Sequence, residues 1–119
     1  MSAFIEAMKL PHSERAFVNI VKLRDYSLSP THEEGQHKAR VFAAALAIGP
    51  DKAEWLRDCL VAAARELECE MGKRDEHGQR YTVDFTARFA GKSANLRSAW
   101  IVRPGEDFPR LISCYVLNK

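Results

Sequence analysis

Six consecutive residues, Gly35-Gln36-His37-Lys38-Ala39-Arg40, place an imidazole and two cations at the expected start of a helix. A helix N-terminus carries unpaired backbone N–H groups and the positive end of the helix dipole, so it attracts phosphate. An imidazole there can take up or release a proton near neutral pH. His37 and Lys38 are therefore candidates for acid–base work or phosphate contact. The competing reading is a solvated helix end with Lys38 and Arg40 pointing outward, since charged side chains belong on helix surfaces. A second group lies in the last forty residues: Arg97, Arg103 and Arg110 with Ser113 and Tyr115. Residues 80–119 hold 7 basic and 3 acidic side chains, against 11 and 13 in residues 1–79, so the positive charge is concentrated there. A wet sheet face bearing arginines, hydroxyls and a tyrosine suits phosphate contact and base stacking. An ordinary polar sheet face uses the same residue types.

The elements that position these groups follow from periodicity. Asn19 is an expected N-cap for a short helix to about Tyr26, and Ser27–Gly35 reads as a loop. Ala39, Phe42, Ala43 and Leu46 recur at helical spacing, predicting a second helix over about 36–47 that Gly49-Pro50 stops. Asp51 and Glu54 form an expected capping box for a third helix running to about Arg65, burying Leu56, Cys59, Leu60, Ala63 and Trp55. Beyond it the period changes from 3.6 to 2. Leu67, Cys69 and Met71 alternate with glutamates. From 80 to 89, Tyr81, Val83, Phe85, Ala87 and Phe89 alternate with Arg80, Thr82, Asp84, Thr86 and Arg88, the pattern of a strand with one buried and one wet face. Further strands are expected over 95–103, where Leu96, Trp100 and Val102 oppose Arg97, Ile101 and Arg103, and over 108–117. The last has mixed faces, which leaves the orientation of Arg110 and Tyr115 open. Short connections favour an antiparallel meander. The expected fold class is α+β: about three N-terminal helices packed on one face of a four-stranded antiparallel β-meander.

Length and composition bound the rest. The 119 residues are expected to form a single domain, with residues 1–8 as an N-terminal extension, 9–65 as the helical half and 66–117 as the sheet half. Apolar residues at 46% and charged residues at 29% mark a globular chain, and a net charge of +2 is too balanced to make it a nucleic-acid binder on charge alone. The run Val41–Ile48 is far shorter than a membrane span, and the first residues lack a signal-peptide pattern, so a cytoplasmic location without membrane contact is expected. Cys59, Cys69 and Cys114 are three, widely spaced and set among apolar neighbours. They read as reduced, buried thiols rather than zinc ligands or a nucleophile. His12, His32 and His77 read as solvated loop residues. No dinucleotide, Walker, zincin or nucleophile-elbow motif occurs, so neither a cofactor nor a metal is expected.

Several strings carry a resemblance. Lys22-Leu23-Arg24-Asp25-Tyr26-Ser27-Leu28, Thr31-His32, Gly35-x-His37-Lys38-Ala39-x-x-Phe42, Gly78-x-x-Tyr81, Arg97-Ser98-x-Trp100 and Pro109-Arg110-Leu111-x-Ser113-x-Tyr115 follow in order from about Leu10 to Leu117. This series resembles an uncharacterised bacterial domain-of-unknown-function family. The family's Thr-x-Tyr-Pro ending stands here as Ser113-Cys114-Tyr115-Val116. More distantly, helices followed by a four-stranded sheet are similar to the colicin, EndoU and RelE-type nuclease fold of bacterial toxins. That likeness implies metal-independent RNA cleavage: His37 or Lys38 as acid/base or phosphate contact, Arg97 and Arg110 stabilising the phosphorane, and Ser113 or Tyr115 orienting the 2′-hydroxyl. The expected function is a phosphate- or RNA-recognising surface, extending to such a ribonuclease. The alternative is a non-enzymatic module binding a cognate bacterial protein, of partner or immunity type. In the first reading Lys38, Arg97 and Arg110 share one anion with His37 at its edge. The sequence carries no signal for an oligomeric state.

Overall fold

The computed structural model describes residues 8–117. It contains three helices, α1 (Ile20–Lys22, continued by a π-turn over Leu23–Ser27), α2 (Gln36–Leu46) and α3 (Ala53–Glu66). Strands β1 (Glu70–Asp75), β2 (Gly78–Phe89), β3 (Lys92–Val102) and β4 (Arg110–Val116) follow in sequence. The strands pair antiparallel in that order, so the sheet is the expected meander and the fold is α+β with helices preceding strands. The extension read over residues 1–8 lies, up to residue 7, outside the described residues.

The helix ends are built from local chemistry, and two of them differ from expectation. Asn19 caps α1, its Oδ1 accepting from Val21 N at 3.0 Å and Lys22 N at 3.2 Å. α2 ends at Leu46, with Ala47 as its C-cap in a left-handed conformation at φ 59°, before the Gly49-Pro50 pair is reached. Pro50–Lys52 then forms a 3₁₀ turn, so α3 starts at Ala53 and the Asp51–Glu54 capping box does not form. The helix also continues to Glu66 and delays β1 to Glu70. Of the alternating residues assigned to the first strand only Cys69 is buried; Leu67 is 39% exposed and Met71 56%. They lie beyond the shelter of the helices.

The helix-covered face of the sheet is the one the alternation predicts. Tyr81, Val83 and Ala87 are buried, Phe85 and Phe89 pack half-buried beside them, and all join the core that holds Phe42, Leu56 and Leu60. Trp55, expected inside, is half-buried and meets Phe89 edge-on at 5.0 Å. Leu96, Ser98 and Trp100 of β3 line the same side. Trp100 is fully buried, and its indole N–H donates to Ser98 Oγ at 2.9 Å, while that hydroxyl donates to Val83 O at 2.8 Å. On β4 an extra residue breaks the alternation: Ser113 pairs with Ala99 and Leu111 with Trp100, leaving Ile112 as a bulge. The bulge puts Leu111, Cys114 and Val116 toward the helices and Arg110, Ser113 and Tyr115 on the outer face. That resolves the strand whose faces the sequence left mixed.

The segment from Met8 to Phe17 straps the helix-covered side. Cys69 N donates to Met8 O at 2.7 Å at one end. At the other, Phe17 N donates to Pro109 O and Leu111 N to Phe17 O, both at 2.9 Å, adding a parallel bridge to the β4 edge. Lys22 Nζ donates to Ile112 O at 2.9 Å and covers the next stretch of that edge.

Replacing Ser98 by Ala leaves the buried Trp100 N–H without its acceptor. The expected cost is about 1–3 kcal/mol, read as a lowered urea midpoint, against a change within about 0.5 kcal/mol for Ser113→Ala on the open face.

Candidate functional site

The start of α2 is an architectural joint before it is anything else. His32 Nδ1 accepts from the backbone N–H groups of Glu34 and Gly35, both at 3.0 Å, so its proton resides on Nε2. Its ring lies against that of Tyr26 in a tilted contact, with centroids 4.5 Å apart and planes at 58°. A Cβ on Gly35 would lie 2.0 Å from Tyr26 O, which explains why glycine stands at this position. His32 is thus a half-buried residue that ties the loop before α2 to Tyr26 of the π-turn, not the solvated residue expected. The signal was the Thr31-His32-x-x-Gly35 spacing, in which a side-chain acceptor precedes a helix by one turn. Ala39 and Phe42 of the same motif are core residues.

Seated in this way, α2 presents Lys38 to β4 and leaves His37 exposed, with no hydrogen bond or ion pair to the described residues. Lys38 Nζ sits 5.5 Å from the centroid of the Tyr115 ring. Tyr115 pairs with Arg97 across β3–β4, and Arg97 with Asp84 across β2–β3. Lys38, Tyr115, Arg97 and Asp84 therefore form one row across the sheet. Arg97 Nε and Nη2 each donate to an Asp84 carboxylate oxygen at 2.9 Å. This fork holds the Asp84 carboxyl below the usual carboxylate range and raises Arg97, with smaller support from Tyr115. Ser113 shares the outer face, opposite Ala99.

Arg110 does not join the row. It pairs with Ile101, four β3 positions from Arg97, or about 13 Å along the strand. Its guanidinium is forked onto Glu106 by two 2.9 Å hydrogen bonds and lies between the rings of Phe17 (5.2 Å) and Phe108 (5.0 Å). The expected shared anion site of Lys38, Arg97 and Arg110 is not assembled. The structure gathers Lys38, Arg97 and Tyr115, places Ser113 nearby, and leaves His37 in solvent and Arg110 at the other end of the sheet. Both arginines are already held by carboxylates.

The outer face has a further feature that the sequence reading passed over. Ile101, 7% exposed, and the bulged Ile112 form an apolar floor beside a hollow of about 560 Å³ walled by His77, Arg80, Arg103 and Pro104. Arg80 is bound to Asp75 at 2.8 Å, and that carboxyl is held at about 2 by Arg80, with help from the His77 backbone N–H. The apolar floor is thus bordered by Arg80, bound to Asp75, by Arg110, which pairs across from Ile101 and is bound to Glu106, and by Arg103, which has no carboxylate within ion-pair distance among the described residues. Ile101 was legible as an apolar residue sharing the side of Arg97 and Arg103; Ile112 was not, because the bulge is invisible to a period of two.

Cys69 and Cys114 are buried, Cys59 is half-buried, and all three are free. Burial pushes the Cys114 thiol up to about 12, which removes it as a nucleophile at neutral pH. Among the described residues no group of three His, Cys, Asp or Glu side chains is placed to hold a metal ion, and no helix is long and apolar enough to cross a membrane.

This chain belongs to the family defined by a domain of unknown function, DUF6883, whose model matches residues 9–118. No curated protein and no solved structure matches it.

Two outcomes test this chemistry. A thiol reagent should modify Cys59 first and reach Cys114 only on unfolding; rapid labelling of Cys114 in the native protein would return it to the nucleophiles. The Asp75 carboxyl, at about 2 when folded against about 3.9 unfolded, contributes stability fully present above pH 4 and lost as the pH falls toward 2. In acid melts Asp75→Asn should remove this part of the decline while lowering stability at pH 7.

Proposed function

We propose that this DUF6883 domain is a non-enzymatic binding module that receives another protein on the outer face of its sheet. The observation carrying this reading is the pairing of Arg80 and Arg110 with Asp75 and Glu106 beside the apolar floor of Ile101 and Ile112, and of Arg97 with Asp84 farther along the same face. An apolar centre with a rim of polar, internally satisfied groups is the anatomy of a protein interface. A nucleic-acid face instead presents unpaired cations to phosphates. The hollow beside Ile101 suits one inserted apolar side chain from the partner.

A second reading, phosphate or RNA recognition extending to metal-independent cleavage, is favoured by one observation. Lys38 has no carboxylate partner among the described residues, and it lies against Tyr115 on the side of the sheet where Ser113 also lies. In that reading Lys38 contacts phosphate and Tyr115 or Ser113 orients a hydroxyl, with His37 reaching in from solvent.

A photo-reactive phenylalanine analogue at Ala99, irradiated in cells, separates the two. The protein reading expects a covalent protein adduct at Ala99 that is absent when the probe replaces Glu54 on α3. It also expects Ile112→Arg to lower the adduct yield roughly tenfold, the effect of losing one anchoring contact. An RNA adduct, RNA cleavage in EDTA that His37→Ala abolishes, and a salt slope that drops by about one in Arg97→Ala would overturn it in favour of the second reading.

A further inference from the structure

A separate hollow of about 440 Å³ opens on the helix side of the sheet, between the β1–β2 hairpin and the turn after β3. It falls within the size range of small-molecule sites. Arg74 and Arg103 both line it, and neither has a carboxylate within ion-pair distance among the described residues. The two carboxylates that border the same space are engaged elsewhere. Asp75 is bound to Arg80, and Glu106 is forked onto Arg110. Two cations therefore share a cavity whose acids are each bound first to another arginine, with Arg103 adding a weaker attraction to Glu106.

Tyr81 supplies the second, independent observation. It is only 8% exposed, lines the same hollow, and its hydroxyl makes no hydrogen bond to the described residues. The ring is buried, while the hydroxyl oxygen stays open to solvent, since no buried side-chain nitrogen or oxygen among the described residues lacks a partner. Its O–H is therefore free to donate to a ligand in the hollow. Met71, 56% exposed, and Val102 add an apolar stretch to the wall beside Gln79. Gly78 and Gly105 narrow the two turns that bound the space.

We propose that this hollow binds a small organic phosphate monoester, with Arg74 and Arg103 forking onto the phosphate oxygens, the Tyr81 hydroxyl donating to a third, and Met71 and Val102 covering the organic group. Two guanidinium forks and a hydroxyl would direct about five N–H and O–H donors at the ligand, more than the roughly four lone-pair positions of a carboxylate, and so suit a dianion with three terminal oxygens. The site is independent of the outer-face reading. Arg103 borders both hollows, so the decisive variants are Arg74 and Tyr81, which line this one alone.

Phenyl phosphate, inorganic phosphate and benzoate would be titrated into the protein while backbone amide shifts of Gly78 and Gly105 are followed. The expected result is saturable binding with phenyl phosphate tightest. Arg74→Gln should weaken it about ten- to a hundredfold, as for loss of a charge-assisted contact, and Tyr81→Phe by several-fold to about tenfold. Arg88→Gln, at the far end of β2, should leave it unchanged. Unsaturable shifts, equal affinity for benzoate, or binding indifferent to Arg74→Gln in a variant that melts like the parent would overturn the proposal.

Discussion

The burial of Trp100 is the constraint on which the rest of the sheet depends. Its side chain is the largest that is wholly enclosed, so its indole N–H must find an acceptor inside the core or lose the free energy of a hydrogen bond to water. Ser98, two residues earlier and hence on the same face, supplies that acceptor and passes its own proton to Val83 O on the neighbouring strand. The relay works in one register. A slip of one residue between β2 and β3 would aim Ser98 away from Val83 and turn every apolar side chain of the strand outward. The same register sets Asp84 opposite Arg97. A core hydrogen bond thereby fixes the charge pattern of the opposite face.

The bulge at Ile112 does the same for the fourth strand. Without an extra residue, Leu111 and Cys114 could not both face the helices, since they stand three apart where a regular strand alternates every second position. With it, the core gains a buried thiol opposite Ser98 while Tyr115 and Ser113 turn outward beside Arg97. The β4 edge is closed in turn by Phe17 and Lys22, which take up backbone groups that would otherwise invite another strand. The broad outer face, rather than the edge, is what remains uncovered.

The class of fold and the buried face of β2 were legible because a strict two-residue alternation over 80–89 admits one reading. Helix α2 was legible for the same reason at a period near four. What was not legible involved interactions between distant residues or departures from period. The Asp51–Glu54 spacing is a sound local signal, yet Pro50 starts a 3₁₀ turn that moves the helix start past it. His32 has an unremarkable loop context until Gly35 and Tyr26 come within contact. Of the candidate site, Lys38, Arg97 and Tyr115 were each marked by a motif, but the sequence left the face of Tyr115 open and did not show the partners that neutralise the arginines. Asp84 lies 13 residues from Arg97, and only pairing across two strands joins them.

Those partners decide how each surface handles charge. A guanidinium forked onto a carboxylate offers little net field, and a phosphate approaching Arg97 meets the negative charge of Asp84 within the same few ångströms. For a protein partner the same pair is favourable at a rim, because neutral pairs lose less hydration than lone ions when water is displaced around them. At the other end of the sheet the acids bordering the Arg74–Arg103 hollow are bound to Arg80 and Arg110, so they compensate the lining cations only weakly, Glu106 through its attraction to Arg103. Arg80 and Arg110 thus have two consequences at once. By holding Asp75 and Glu106 they give up their own free charge on the outer face, and by the same bonds they leave the inner hollow with the cations of Arg74 and Arg103. The distribution of six carboxylate oxygens, on Asp75, Asp84 and Glu106, is what separates a surface suited to a protein from a cavity suited to an anion.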